Sequence, residues 1–384
     1  MFSFFRLRRS AERFGSDQSA VCCFHKDTLR DTMVSIFHVG ARDGFVPFDY
    51  PEIFDSCCEF VMIDAADLEE IAAITLFNGR VVNCFSTQIK SAIWNENSQR
   101  PLNVTACPYA ASVKKLDEKY NDWYVFANGD CDYILGEAHT LTNVEIVETV
   151  TLAKIISESN LPTPSVLCID AQGSSFEILQ GAGSYLDSID AVICEVELIP
   201  FYGGNPSFSG VLNLLSAKGM IFSGFISEPV SWASPVRHPI GFRSKTMLGS
   251  ADAVFIRRPE EINASFDTVR ISNYVLVSCS LGHFDLALSV LQKIDFSSES
   301  LQSDSVLIKF FSDLKLALAA MPVCFPPTFL EARSKTKIPQ IENLLFGEIT
   351  PLEECLIQYQ FTMLASQVKN LRLEQVKKIS NYQT

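Results

Sequence analysis

Short apolar runs alternate with longer amphipathic stretches along the first two thirds of the chain. The runs are rich in β-branched residues, as from Val34 to Val39 and from Ser165 to Ile169, and they predict buried strands. The stretches from Phe176 to Leu186 and from Phe208 to Lys218 repeat apolar residues at helical spacing. This βαβα order predicts an α/β fold with a largely parallel sheet.

Seven runs of this kind predict a seven-stranded sheet. They are Val34 to Val39, Phe60 to Ile63, Arg80 to Phe85, Ser165 to Ile169, Ala191 to Glu195, Met220 to Phe225 and Ala251 to Ile256. Leu68 to Phe77 is also compatible with a helix. Residues 86–150 are polar and fit neither period, so we expect an insertion of loops and short strands over the sheet edge. The short run from Asn143 to Val150 should lead back into a helix from Leu152 to Ser157.

Beyond Pro259 the pattern changes to helix-like stretches separated by Pro and Ser clusters. The stretches are Ile271 to Ser280, Phe284 to Ile294, Leu301 to Ala320 and Leu352 to Ile379. Gly282 separates two amphipathic runs in a way that resembles one hairpin of a tetratricopeptide-type array. Such arrays need several stacked repeats, so the sequence favours an ordinary helical hairpin docked on the α/β domain.

The expected organisation has three parts. Residues 1–30 are predicted to form a leading helix, residues 31–258 the α/β domain and residues 260–384 a helical C-terminal region. The opening MFSFFRLRRS pairs aromatic side chains with arginines, which also suits an interfacial anchor or the start of a signal sequence. No long apolar segment follows it, so we favour a helix that packs its aromatic residues on the domain.

The composition of the chain limits the classes of ligand that we expect it to bind. The chain has 384 residues, of which 47% are hydrophobic, and can bury a large core. Its formal net charge of -14 argues against non-specific binding to nucleic acid or to anionic membranes. No stretch approaches the roughly 20 apolar residues that a membrane span requires. We therefore expect a small-molecule or glycan acceptor as the ligand, and a possible protein partner for the helical tail.

The cysteines indicate a reducing environment. There are twelve, and none shows a paired CxxC spacing suited to zinc. Cys168 and Cys194 fall inside apolar runs, where a free cysteine behaves as a small hydrophobic residue. The expected compartment is the cytoplasm.

The first candidate site follows the first predicted strand, in FHVGARDGF. Gly40 and Gly44 permit the backbone to come close to a ligand. The turn should open a helix, whose free N–H groups favour the polar end of a ligand. A GxxxG turn alone is a weak signal, but the next strand ends on Asp64 about 20 residues later. A carboxylate at that position can accept hydrogen bonds from both ribose hydroxyls of an adenosine cofactor.

The second candidate is Asp170, which closes the strand from Ser165 to Ile169. Gly173 then lets the chain turn directly into a helix. Ligands of open parallel sheets bind at the carboxyl edge, where an acid can hold a ligand or polarise an acceptor hydroxyl. Asp170 can also serve as the N-cap of a helix that begins near Ser174. The two roles can coexist, and we favour placement in the site.

The third candidate is Glu195, which closes the next predicted strand in CEVELIPFYGG. Glu195 is expected to face the same edge as Asp170. Two acids on adjacent strand ends can bind the hydroxyls of a sugar, or they can remain solvated loop charges. The sequence supports both alternatives.

These segments resemble those of FkbM-type methyltransferases. LCIDAQGSSFEILQGAG is similar to the family's KIDVQGAELEVLKGA, FHVGARDGF to DVGANxGY, and the strand that ends on Asp64 to FEPxP. The family's glutamate-bearing strand also leads to an aromatic residue and a glycine turn. The residues that match the family are Gly40, Ala41, Gly44, Phe45, Asp170, Gln172, Gly173, Leu179, Gly181, Glu195, Tyr202 and Gly203.

The chain also departs from the family pattern. His38 stands where the family has an acid that orients the methionine part of S-adenosylmethionine. Asp43 can partly replace that acid, or it can cap the following helix. Cys168 replaces a lysine and Ser175 replaces a second acid. The resemblance covers residues 34–258 and does not extend to the C-terminal quarter.

The resemblance implies a Rossmann-like, seven-stranded methyltransferase sheet with a helical C-terminal extension. It implies methyl transfer from S-adenosylmethionine to an oxygen, namely a hydroxyl of a sugar or of another small metabolite. No metal is required by that reaction. The implied cofactor-binding residues are Gly40, Ala41, Asp43, Gly44 and Asp64, and the implied catalytic residues are Asp170 and Glu195.

Two other functions are open at this point. His38, Cys168, Ala153 and Ser175 stand where the family tends to place polar or charged residues, which suits a catalytically degenerate fold that serves as a binding or assembly module. An acid after the second strand also occurs in NAD-dependent oxidoreductases, although this chain has no GxGxxG turn. Hydrolase and kinase functions lose support because no GxSxG elbow or GxxxxGK[ST] loop is present. The five histidines show no metal-ligand spacing.

Overall fold

A computed structural model gives the fold. It describes residues 33–42, 44–66, 73–82, 86–126, 132–204, 206–226, 231–237, 246–262, 268–294, 305–321, 330 and 349–383. The predicted leading helix within residues 1–30 and the candidate Asp43 lie outside these residues. The chain divides into two compact units. The first unit combines Met1–Asp49 with Cys58–Glu261, and the second combines Tyr50–Cys57 with Ile262–Thr384.

All of the described strands belong to the first unit. They are β1 (Val34–Val39), β2 (Phe45–Val46), β3 (Cys58–Asp64), β4 (Ile74–Leu76), β5 (Val81–Val82), β6 (Ser86–Lys90), β7 (Ala92–Trp94), β8 (Ser98–Thr105), β9 (Tyr124–Phe126), β10 (Asp132–Ile134), β11 (Leu141–Thr151), β12 (Val166–Ile169), β13 (Ala191–Glu197), β14 (Met220–Phe225), β15 (Ser231–Ser234) and β16 (Met247–Arg257).

The described α-helices are divided between the units. Those of the first unit are α1 (Leu135–Ala138), α2 (Leu152–Glu158), α3 (Ser175–Ala182) and α4 (Ser207–Ala217). Those of the second unit are α5 (Thr268–Ser280), α6 (Phe284–Lys293), α7 (Val306–Ala319), α8 (Pro351–Gln358) and α9 (Thr362–Gln383). Among the described residues, none of the helices is both long and apolar enough to cross a membrane.

A ten-stranded mixed sheet organises the first unit. Its order is β10-β9-β15-β16-β13-β12-β1-β3-β6, and β14 pairs with β16 beside this path. The strands β6, β3, β1, β12 and β13 run parallel, and β16 runs antiparallel to β13. From β1 the chain adds β3 and β6 on one side and then returns to add β12 and β13 on the other. The strand order therefore reverses between β1 and β12, and open α/β sheets bind ligands at such a point, outside the carboxyl ends of the strands.

The predicted α/β class is confirmed, whereas the strand inventory differs from the prediction. The sheet has ten described strands rather than seven, because β9, β10 and β15 extend it and β6 takes the place of the predicted run from Arg80 to Phe85. Val81–Val82 instead pairs with β4 in a separate small sheet, so part of the predicted helix from Leu68 to Phe77 is a strand. The polar β6 belongs to the main sheet, although the sequence placed residues 86–90 in the insertion.

The alternating side chains of β1 separate two environments. Phe37 and Val39 point to the face that packs in one buried cluster with Ile178 of α3 and Val211 of α4. His38 points to the opposite face and is only 2% exposed. Each large apolar side chain buried on the helix face contributes about 1.5–3 kcal/mol to stability. This packing fixes the strand ends that carry the candidate residues.

The second unit is built from helices and from one segment of distant sequence. The helix α5 contacts α6 and α7, and α8 contacts α7 and α9. Phe54, in a short 3-10 turn between β2 and β3, stacks on Tyr359 with ring centroids 6.2 Å apart and meets the edge of Phe310 at 5.4 Å. Phe361 completes this cluster. The unit is therefore discontinuous in sequence.

The predicted helix from Leu352 to Ile379 is wrong in one respect, because it is two helices. The helix α8 ends at its C-cap Tyr359, and Gln360 has a positive φ of 65° that a right-handed helix cannot accommodate. A capping box at Thr350 and Glu353 starts α8. Gly282, with φ of 80°, makes the turn of the predicted hairpin between α5 and α6.

Candidate functional site

The carboxyl ends of β1, β3 and β12 are joined by backbone hydrogen bonds. The Gly40 N–H donates to the Ile63 carbonyl at 2.8 Å, and the Asp170 N–H donates to the Val39 carbonyl at 2.9 Å. Gly40 has φ of 88°, and a side chain there would collide with the backbone carbonyl of Asp170. The close approach that this glycine permits is thus made to Asp170. Ligand contact by Gly40 stays a prediction.

The turn after β1 does not open a helix, so that expectation is wrong. The Gly44 N–H donates to the Ala41 carbonyl at 3.0 Å, and the Gly44 carbonyl accepts from the Thr75 N–H at 2.9 Å. The chain then enters β2, which pairs with β4. Pro47 and Pro51 follow closely, and proline in a helix interior removes a hydrogen bond and clashes with the preceding turn. A helix N-terminus therefore does not contribute to the site at this position.

Asp64 ends β3 beside this turn and is only partly buried. Its Oδ1 accepts a hydrogen bond from the Ala66 N–H at 2.8 Å. Burial raises the pKa of Asp64, and the neighbouring Arg42 opposes that effect while Asp170 adds to it. A carboxylate has about four lone-pair positions, so the turn uses a fraction of its capacity as an acceptor. The electrostatic effect of Asp170 places the two predicted acids in one neighbourhood.

Asp170 is held by a side chain of the loop that follows it. Gln172 Nε2 donates to Asp170 Oδ1 at 3.1 Å, and the Tyr202 hydroxyl donates to Gln172 Oε1 at 3.3 Å. Ser174 occupies the N-cap position of α3. The alternative role of Asp170 as the helix cap is therefore not what the structure contains. Asp170 lies at the strand end, where the sequence placed it.

Glu195 lies within β13 rather than in a loop, and it faces a second acid. Its register partner across the antiparallel pair is Asp252 of β16. Burial raises the pKa of Glu195, and Asp170 raises it further, while Ser250 Oγ donates to Glu195 Oε1 at 3.2 Å. Burial, then Asp170 and Glu195, raise the pKa of Asp252 to about 7. Although both side chains keep some exposed area, protein atoms surround them closely enough to disfavour two full charges.

Asp252 was missed at the sequence level. The only signal was its position as the polar member of an alternating strand, in SADAVFI. Its importance depends on the pairing with Glu195, which joins residues more than 50 positions apart, and that pairing cannot be read from local pattern. Asp170 raises the pKa of both Glu195 and Asp252, so the three acids lie in one acidic cluster, which we call the carboxylate cluster.

The two central departures from the family pattern are buried in the sheet. His38 pairs in register with Met62 on one side and Cys168 on the other. Burial lowers the pKa of His38 to about 4, although Asp170 acts in the opposite direction. Neither ring nitrogen has a hydrogen-bond partner within the described part of the chain. Burial also raises the pKa of the Cys168 thiol, so both side chains are neutral near pH 7.

Comparison with known families decides the identity of this region. Residues 38–222 match the family model described as the methyltransferase FkbM domain. They belong to that family. The resemblance inferred from the sequence is therefore confirmed, and the carboxyl ends of β1, β3 and β12 lie inside the matched residues. No curated protein and no solved structure matches the chain.

One wall of the site in this FkbM domain comes from the polar region that fitted neither period. The Ser112 hydroxyl donates to the Gln172 carbonyl at 2.7 Å, and the Asp117 N–H donates to the Phe201 carbonyl at 2.8 Å. Leu116 forms a bridge with Tyr202. The inserted segment is thus tied to the loops that follow β12 and β13, which are the loops that carry the site.

A small cavity of the FkbM domain reaches the carboxylate cluster. It encloses about 10 Å³, which is room for roughly one water molecule, and its lining includes Gly173, Ser175, Glu195 and Glu197. Ser175, which stands where the family has an acid, donates its hydroxyl to the Glu195 carbonyl at 2.7 Å. Among the described residues, no group of His, Cys, Asp and Glu side chains could hold a metal ion.

Proposed function

We propose that this FkbM domain transfers a methyl group from S-adenosylmethionine to a hydroxyl of a sugar or of another small metabolite. One observation carries the proposal. The acids Asp64 and Asp170 end the two strands that flank β1, at the point where the strand order reverses. Ligands of open α/β sheets bind there, and Asp170 is close enough to Asp64 to raise the pKa of Asp64.

Asp64 suits the ribose of that cofactor. It is a partly buried carboxylate whose raised pKa reflects incomplete compensation of its charge. Two hydroxyl donors would supply the missing hydrogen bonds, and hydrogen bonds to a charged group contribute about 1.5–3 kcal/mol. Ala41 and Gly44 belong to the adjoining turn, so the predicted cofactor-binding residues that the structure describes lie together with Asp64.

The carboxylate cluster suits the reacting end. S-adenosylmethionine supplies a methyl group on a positively charged sulfonium, and clustered carboxylates favour a cation. Asp170 holds the charged ligand and accepts a hydrogen bond from the acceptor hydroxyl. Glu195 and Asp252 have raised pKa values, so either carboxyl group can take up the proton that the hydroxyl releases. Alignment of donor and acceptor supplies most of the acceleration.

Titration calorimetry with S-adenosylmethionine tests this proposal directly. The full-length protein should bind it, and Asp64→Ala should weaken binding, whereas NADH should give no heat of binding. A methylation assay with a radiolabelled methyl group should then identify the acceptor among sugars and other small hydroxyl compounds. A folded protein that fails to bind S-adenosylmethionine would contradict the proposal.

That negative result would favour the second candidate, a degenerate methyltransferase fold that acts as a binding or assembly module. The observation in its favour is the burial of neutral side chains at two family positions. Cys168 is 0% exposed and stands where the family has a lysine, and His38 is 2% exposed where the family has an acid. Neither can replace the charge of its family counterpart near pH 7.

A further inference from the structure

A chain of side-chain hydrogen bonds runs from Asp170 to the polypeptide backbone of α1. From Asp170, the contacts pass through Gln172 to the Tyr202 hydroxyl, and His139 Nε2 lies 3.0 Å from that hydroxyl. His139 Nδ1 lies 2.8 Å from the Leu135 carbonyl oxygen. The FkbM family segment accounts for Asp170 and Gln172, whereas no motif indicated His139.

The two ends of this chain fix the direction of its hydrogen bonds. An ionised Asp170 can only accept, so the Gln172 amide nitrogen must face it and the amide oxygen must face Tyr202. The Leu135 carbonyl can only accept, so His139 Nδ1 must carry a proton. The Tyr202 hydroxyl has one proton, and two acceptors compete for it while His139 is neutral.

Proton counting then distinguishes two states. If His139 is neutral, its unprotonated Nε2 accepts a hydrogen bond from the Tyr202 hydroxyl, and Gln172 Oε1 is left without that donor. If His139 is cationic, Nε2–H donates to Tyr202 and the Tyr202 hydroxyl donates to Gln172. Only the cationic state satisfies every bond between Leu135 and Asp170.

We propose that Gln172, Tyr202 and His139 are positioning residues that hold Asp170 in its ligand-binding orientation and tighten that hold when His139 takes up a proton. The proposal deepens the proposed function, since it rests on Asp170 as a ligand-binding group. None of the three residues needs to touch the cofactor or the acceptor.

The hydrogen-bonded series Asp170–Gln172–Tyr202–His139, which we call the relay, requires a protonated Tyr202 hydroxyl, and the surroundings keep it protonated. Burial raises its pKa well above 10, and the charges of Glu197, Glu195, Asp170 and Cys107 raise it further. Tyr202 therefore retains its proton throughout the physiological range. Burial lowers the pKa of His139, and the Leu135 carbonyl opposes that effect. Histidine is the side-chain type whose ordinary pKa lies nearest to neutral pH, so His139 is the residue through which a proton can enter this hydrogen-bonded series.

The backbone at Gln172 is shaped for this contact. Gln172 has a positive φ of 39° and is 7% exposed. A residue other than glycine in that conformation costs of order 1–3 kcal/mol and persists only when its surroundings impose it. The Ser112 hydroxyl, which donates to the Gln172 carbonyl, is part of those surroundings. Gly173 adds room, because a side chain there would press on the Tyr202 ring.

Histidine-selective ¹⁵N NMR titration of the full-length protein tests the relay without any ligand. The chain has five histidines, so His139→Gln assigns the signal. Neutral His139 should show the Nδ1-protonated tautomer. Asp170→Asn should lower the midpoint of its titration by about half a pH unit, because the cationic state loses the charge at the far end of the relay. In a Tyr202→Phe background the same substitution should shift the midpoint by less than half as much.

A binding measurement provides the second readout. Tyr202→Phe should weaken S-adenosylmethionine by roughly threefold to tenfold, which corresponds to one hydrogen bond, and should weaken it no further in an Asp170→Asn background. Tyr185→Phe is the matched control, because Tyr185 packs on the hydrophobic core and takes no part in the relay. Thermal melts of all variants verify that they fold.

The outcomes separate the two proposals. Equal midpoint shifts with and without the Tyr202 hydroxyl, or the opposite tautomer of neutral His139, would overturn the relay. Absence of S-adenosylmethionine binding by the unmodified protein would overturn the proposed function, while the NMR result would still decide the relay.

Discussion

Glu195 of β13 and Asp252 of β16 are opposed partners across an antiparallel strand pair. Both carboxyl groups lie among protein atoms, and burial disfavours the charged form of an acid. Burial raises the pKa of both residues and Asp170 raises both further, while Glu195 also contributes to the pKa of about 7 at Asp252. The first prediction follows from this pair.

Asp252→Asn should stabilise the protein at high pH and change little at low pH. The pKa of Asp252 is raised from 3.8 to about 7 in the folded state. Between those values the folded protein binds more protons than the unfolded chain, so its stability falls as pH rises, and the full loss is present above about 7. Asparagine cannot ionise, so Asp252→Asn should avoid this pH-dependent loss of folding stability. Thermal melts at pH 5 and pH 8 measure the difference.

Asp117→Asn provides the control for that experiment. Asp117 is an acid whose pKa is lowered by Lys119, and asparagine is an equally good cap for the short turn that follows. It should show no gain at pH 8. A similar gain for both variants would indicate an effect of net charge and would contradict the local explanation.

Asp64→Ala should weaken S-adenosylmethionine by about 1.5–3 kcal/mol, because it removes hydrogen bonds to a charged acceptor. A 2′,3′-dideoxy analogue should bind the unmodified protein more weakly but lose little further affinity on the variant. Calorimetry measures all four combinations. Asp187→Ala, which removes an exposed acid paired with Lys218, is the control and should leave affinity unchanged. Equal losses of the analogue on both proteins would show that Asp64 does not bind the ribose.

Gly40→Ala should destabilise the fold far more than Gly79→Ala. Both glycines have a positive φ, of 88° and 86°, so alanine is strained by about 1–2 kcal/mol at either position. At Gly79 nothing lies near the added carbon, whereas at Gly40 it meets the Asp170 backbone. We expect a loss of at least about 3 kcal/mol for Gly40→Ala by denaturant unfolding. Comparable losses would mean that the strand junction can open without cost.

A shortened chain that ends at Arg258 should aggregate. Without residues 262–384, Phe54 loses the rings of Phe310, Tyr359 and Phe361 that cover it in the second unit. Exposed aromatic surface promotes association. Light scattering measures this, and adding Phe54→Ser to the shortened chain should reduce it. A soluble monomer with a cooperative melt and an intact Phe54 would contradict the prediction.

The local pattern was sufficient for the α/β class and for the strands that are buried on both faces, such as β1 and β12. It failed for β6, because an edge strand is partly exposed on both faces and its STQIK sequence carries no apolar run. The prediction of a helix after Gly44 was also wrong, although Pro47 already argued against it, because proline is unfavourable in a helix interior. Local signals therefore located the elements that bury most surface.

The acids at strand ends were found because their positions follow from strand order alone. Asp64 and Asp170 needed no knowledge of any contact. Asp252, Tyr202 and His139 instead acquire their roles through partners far away in sequence. No periodicity encodes such pairings, so they emerge only when the chain is folded.

The discontinuity of the second unit imposes an order on biosynthesis. Phe54 leaves the ribosome roughly 250 to 300 residues before the aromatic residues that cover it, while domains generally fold from the N-terminus during synthesis. Phe54 must therefore wait without its aromatic partners until the last helices emerge, although β3 begins only a few residues later. During that interval the uncovered Phe54 ring can make non-native contacts. Synthesis of the segments that carry Phe310, Tyr359 and Phe361 ends this risk.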